Sequence, residues 1–165
     1  MLRINVKKCK VAQRALKSIK YNIDTIGKFL KSIENDYHRL LREKLGGIEG
    51  KCRMSNYMLA RILSHRFSLP INTDKGNRLE LRWGGYKEFP GHYWIKLVLN
   101  DEEFFICATM GQFISKYKEK ILCLPYKNTL KSFQFVDLKK PTLREVMPVD
   151  GQNVMQEAKE IIGYF

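Results

Sequence analysis

The sequence predicts an α+β domain, on two observations. Apolar residues between Leu16 and Leu40 recur alternately every three and four positions, the period of a helix packed on another helix. From Arg78 onward the pattern changes to alternation of apolar and polar residues, punctuated by Gly-Gly and Pro-Gly pairs, as strands and turns require. Helices first and an antiparallel sheet afterwards define the class. The helical seam runs through Leu16, Ile19, Ile23, Ile26, Leu30, Ile33, Tyr37 and Leu40. One unbroken helix over residues 10–44 would be about 50 Å long, so a break near Glu34-Asn35-Asp36 is expected, where Asn and Asp favour caps. Gly46-Gly47 ends this region. A second helix is expected from Cys52 to about His65, with Met54, Met58, Leu59, Ile62 and Leu63 at helical spacing and Pro70 beyond its end. Residues 70–77 read as loop. Strands follow at Arg78–Trp83, His92–Leu99 and Glu103–Ala108, the last two joined as a hairpin. Further strands are expected at Ile121–Leu124 and Ser132–Leu138, with a closing helix over 152–162. The expected division is a basic helical region over 1–45 and a core over 46–165, together one compact domain.

Composition narrows the function classes. At 165 residues the chain can bury a core without disulfides. It has no apolar run long enough to cross a membrane. Its N-terminus lacks the apolar core and small-residue cleavage site of a secretory signal, so the expected location is the cytoplasm, its own or that of a target cell. Cys9, Cys52, Cys107 and Cys123 form no CxxC pair and read as free thiols. The net charge is +13, and residues 1–33 hold nine Lys or Arg against one acid, Asp24. Such a face can meet nucleic acid, an anionic membrane or an acidic partner, or be solvated helix surface. The seam also admits pairing of two copies through the N-terminal helices.

Two side chains stand out chemically. Cys52 opens a helix, where the macrodipole and the neighbours Lys51 and Arg53 favour the thiolate, and where unpaired N–H groups could hold an oxyanion. A small buried hydrophobe is the competing reading. His92 begins a strand after Pro-Gly, on the face of Trp94, Lys96 and Val98, with Tyr93, Ile95, Leu97 and Leu99 on the other. Alone it reads equally as a surface imidazole. His38 and His65 read as structural. Tyr93, Trp94, Phe104 and Phe105 read as core rather than as a base-stacking platform.

The segments GKCRMSNYMLARIL, GHYWIKLVLNDEEFF and ICATMGQF, taken in order, resemble the core of the transglutaminase-like cysteine enzymes, a branch of the papain-like fold. The matching residues are Gly50 and Cys52, His92 and Trp94, then Ala108-Thr109 and Gln112-Phe113, within about residues 46–126. The resemblance implies that Cys52 attacks an amide or ester carbonyl with His92 as base, and that water or an amine resolves the thioester. The expected substrate is a protein or peptide amide, and no cofactor or metal is expected. Gln112 and Trp94 become candidates for oxyanion support. Where the family carries the acid that orients its His, this chain has Cys107, and Arg53 stands where an aromatic usually follows the Cys. Gln112 or Asp137 could take the acid's place. Three readings follow: an active thiol hydrolase or acyltransferase (protease, glutamine deamidase or transglutaminase type, of the kind an effector or toxin uses), an inactive relative that binds nucleic acid or an acidic protein through its basic helices, or a metal site of Cys52, His92 and Cys107.

Overall fold

The computed structural model describes residues 22–47, 51–86, 89–146 and 151–165. Helix α1 spans Ile23–Leu45. Its N-cap is Asn22, whose side chain accepts the Asp24 N–H at 2.8 Å. Gly46 ends it in the left-handed conformation (φ 71°), its N–H satisfying carbonyls of the last turn. The expected break at residues 34–36 is absent. Glu34 instead turns inward, only 3% exposed, and its carboxylate accepts the Ile121 N–H at 2.9 Å and pairs with Lys31 and Lys120. A buried carboxylate with three donors needs no chain break to satisfy it.

Helix α2 is Cys52–Phe67. Five strands follow: β1 (Arg78–Tyr86), β2 (Phe89–Leu99), β3 (Glu102–Cys107), β4 (Leu122–Pro125) and β5 (Phe135–Lys139). They form one antiparallel sheet in the order β4-β3-β2-β1-β5. Between β4 and β5 lies helix α3 (Tyr126–Phe133), so Ser132, expected in a strand, is helical. Lys131 and Leu130 carbonyls receive the Gln134 N–H there, and the chain turns at Gln134 (φ 58°) before β5 begins. A one-turn helix, α4 (Leu143–Val146), and a 14-residue helix, α5 (Gly151–Tyr164), follow β5, and two 3₁₀ turns (Met110–Gln112 and Ser115–Tyr117) lie between β3 and β4.

The hairpin between β2 and β3 turns on two residues, Asn100 and Asp101, both with positive φ (49° and 66°). That is the geometry of a two-residue turn matched to strand twist, and Asn and Asp tolerate it better than other side chains.

The sheet is covered on both faces. On one, Leu79, Leu81, Ile95, Leu97 and Ile106 pack with Ile26, Leu30, Tyr37 and Leu41 of α1, Met58, Leu59 and Leu63 of α2, and Ala158 and Ile161 of α5. The described part of the α1 seam is therefore buried within this chain. On the other face, Trp94, Phe105, Cys107 and Phe135 pack with Tyr126 of α3 and with Met110 of the turn after β3. The Lys and Arg of α1 are mostly partnered: Arg39 with Asp36 and Glu43, Arg42 with Glu119, Lys44 with Glu160. Seven of the basic residues counted in the N-terminal third, Arg3 to Lys20, lie outside the described residues. No described helix is long and apolar enough to cross a membrane.

Candidate active site

Cys52 is the first residue of α2, and Lys51 before it provides no side-chain cap. The first N–H groups of the helix are therefore left for another acceptor. The thiol is partly exposed and lies against β2, its Sγ 4.0 Å from the Gly91 carbonyl oxygen. Burial pushes the Cys52 thiol above its ordinary pKa, and the backbone at Tyr93, Arg53 and Cys52 itself, with the Arg53 charge, pulls it back without cancelling that rise.

His92 lies on β2 opposite Gly84 and is 1% exposed. Its ring stacks on Phe135 at 5.4 Å between centroids and meets the edge of Phe113 at 4.9 Å. Gly84 leaves room for the neighbouring indole, since a Cβ there would come within 2.5 Å of the Trp94 ring and 1.9 Å of the Val136 carbonyl oxygen. Desolvation takes the imidazole pKa down to about 3, so the ring is neutral at ordinary pH.

The Nε2 of His92 is 3.3 Å from the Sγ of Cys107. The two residues are diagonal neighbours on one face of adjacent strands, a spacing long side chains can bridge. Cys107 is therefore the side chain that meets the His92 ring at Nε2. It is fully buried, and burial lifts its thiol to about 11, so it is protonated at neutral pH. Its sulfur also lies 3.4 Å from the Thr109 N–H and 3.5 Å from the Thr109 hydroxyl. The other ring nitrogen of His92, Nδ1, is buried without a hydrogen-bond partner.

The remaining candidates fall in different places. The Trp94 indole N–H is committed to the Tyr126 hydroxyl at 2.9 Å, so the residue supports His92 with its ring and offers no donor to an oxyanion. Asp137 is engaged by Arg82 at 2.8 Å and by the Tyr126 hydroxyl at 2.7 Å, and is not available to His92. The Gln112 amide nitrogen is buried and unpaired. Among the described residues no group of three His, Cys, Asp or Glu is placed to hold a metal ion, which removes the geometric basis of the zinc reading. An open cavity of about 580 Å³, lined by Asp101, Glu103, Phe104, Tyr126 and Lys127 among others, lies at the opposite, hairpin end of the strands. His38 is buried in α1 and His65 is exposed.

Sequence reasoning passed over Asn56. It lies one helical turn after Cys52 and is fully buried. Its Nδ2 donates to the carbonyls of Cys52 and Tyr93, both at 2.9 Å, and its Oδ1 accepts the Ala108 N–H at 3.2 Å. Thr109 Oγ1 and Cys107 Sγ lie 3.3 and 3.8 Å from the same nitrogen. The only available signal was a polar residue at i+4 from Cys52, on the face that the helix buries.

No protein-family model, curated protein or solved structure matches the chain.

Proposed function

We propose that the protein is a thiol-dependent acyl hydrolase or acyltransferase acting on protein or peptide amides, with Cys52 as nucleophile and His92 as base. One observation carries this reading. The His92 ring is held at Nε2 by Cys107, and its Nδ1 is left buried and unpaired, while the Cys52 thiol rests against the backbone on either side of His92. With its proton assigned to Nε2, on the Cys107 side, the ring keeps its Nδ1 lone pair for the Cys52 proton.

The pair works from its neutral forms. Burial holds His92 unprotonated and Cys52 as a thiol. As the sulfur attacks the carbonyl carbon, its proton passes to Nδ1 and the carbonyl electrons move to oxygen. Collapse expels the amine, which takes the proton from the imidazolium and leaves a thioester on Cys52. Water then gives hydrolysis or deamidation, and an amine gives acyl transfer. Cys107 occupies the acid's place as a neutral group, so it orients the ring and supplies little charge to the imidazolium.

The test is acylation by p-nitrophenyl acetate, followed residue by residue by mass spectrometry. Cys52 is expected to be acetylated before Cys107 and Cys123, and His92→Ala to slow this by roughly 10²–10⁴-fold. Because His92 titrates near pH 3, the rate should show no acid limb near pH 6.5 and should climb on the alkaline side with the Cys52 thiol. Acetylation of Cys52 no faster than that of Cys123 would sink the proposal. The reading left standing would then be an inactive relative whose cleft or N-terminal bases bind a partner.

A further inference from the structure

We infer that Asn56 is a positioning residue that holds the β2–β3 ladder open, so that the backbone N–H of Tyr93 stands beside the first N–H of α2 as a second donor to the reacting oxygen. The inference rests on the Cys52–His92 reading above.

The hairpin register sets which strand residues bond each other. Leu99 and Glu102 close a two-residue turn, and the recorded pairs continue through Leu97–Phe104 to Ile95–Ile106. In such a hairpin the closing pair and every second pair beyond it exchange both N–H···O bonds. The next pair to do so would be Tyr93 and Ala108, but the recorded pairing stops at Ile95–Ile106. At that step the carboxamide of Asn56 occupies the ladder. It donates to the Tyr93 carbonyl at 2.9 Å and accepts from the Ala108 N–H at 3.2 Å, the two groups that would otherwise bond each other. One side chain from a helix thus replaces a main-chain bond between two strands.

The consequence falls on Tyr93. Within a strand the N–H and C=O of one residue point to the same side, so the Tyr93 N–H faces the gap that Asn56 holds open. The Cys52 thiol is found at this gap, in contact with Gly91 on one side of His92 and drawn down in pKa by the Tyr93 backbone on the other. The second proton of the Asn56 amide goes to the Cys52 carbonyl at 2.9 Å, which fixes the first turn of α2 against the same point. Two backbone donors from two elements therefore converge at the nucleophile. A carbonyl oxygen of the substrate, once negative, is held by groups that need no rearrangement.

The direct test replaces the Tyr93 amide by an ester, by incorporating the α-hydroxy acid analogue of tyrosine at position 93. This removes the N–H and keeps the side chain. Two probes are read in parallel: turnover of p-nitrophenyl acetate, which passes through an oxyanion, and alkylation of Cys52 by iodoacetamide, which does not. The expected result is a kcat lower by about 10²–10³-fold with KM little changed, and an alkylation rate within about threefold of wild type once it is corrected for the thiolate fraction read from its pH profile, since the Tyr93 backbone also lowers the thiol's pKa. Asn56→Ala should show the same split, with slower hydrogen exchange at Tyr93 as the ladder closes. If Asn56→Ala does not fold, the ester variant still decides. An unchanged kcat in the ester variant, with Cys52 still acylated in wild type, overturns this inference alone. Absence of Cys52 acylation in wild type overturns the Cys–His reading and this inference together.

Discussion

Beneath α1, α2 and α5 the sheet presents Leu79, Leu81, Ile95, Leu97 and Ile106, all essentially inaccessible. On its reverse it presents Trp94, Phe105, Phe135 and Cys107, with His92 stacked among the rings. The first face holds by area alone, and aliphatic groups of similar volume can exchange within it. The second carries polar atoms that must be aimed. The Trp94 N–H meets the Tyr126 hydroxyl, that hydroxyl meets Asp137, and Asp137 meets Arg82. One side of the sheet thus supplies stability while the other spends its burial on orientation, with the candidate site at the end of the strands where α2 reaches across.

Three changes test this contrast between the two faces. Trp94→Ala removes a fully buried ring that stacks near Phe135 and Phe105, and should cost about 3–5 kcal/mol in chemical denaturation. A loss below about 1 kcal/mol would mean that the aromatic face is not a packed core. Next in size is the pH response. His92 has a folded pKa near 3, below its ordinary value of 6.5, so the unfolded chain binds a proton that the folded chain refuses. Stability is then full above about pH 6.5 and falls as pH drops toward 3, by at most about 1.4 kcal/mol per unit from this residue. The His38 pKa is shifted in the same direction by burial and adds with the same sign. Between pH 7 and 5 the decline should flatten in His92→Gln and persist in aliphatic-face variants, and an equal slope in both would place its origin elsewhere. The smallest effect is Ile95→Val on the aliphatic face, expected to cost about 0.5–1.5 kcal/mol and to leave Cys52 acylation as in wild type. A fall in acylation there would show that the two faces are coupled.

Period and punctuation carried the class, the hairpin and the placement of Cys52 at a helix start, because each depends on neighbours in sequence. Glu34 shows where such reasoning stops. Its local context argues for a chain break, and its satisfaction comes from the Ile121 N–H, far along the chain. Ser132 reads as strand by alternation, yet it belongs to a helix that packs on β3 and β5. The candidate site divides in the same way. The order Cys52, His92, Cys107 was legible, and His92 and Cys107 do meet. The thiol's raised pKa was not legible, since burial by β2 outweighs the helix terminus that the sequence displays. Asn56 was not legible either, because its importance lies in a ladder step between residues 37 and 52 positions away.

Trp83 and Trp94 are the chain's two tryptophans. One is half-buried over Gly91, while the other is sealed in the aromatic face with its ring centre 6.1 Å from that of His92. An indole in dry surroundings emits at shorter wavelength than a wet one, and a protonated imidazole beside it quenches that emission. The molecule thus contains a built-in optical gauge: the blue edge of its fluorescence reports the charge state of His92 and the integrity of its aromatic seat, without any label.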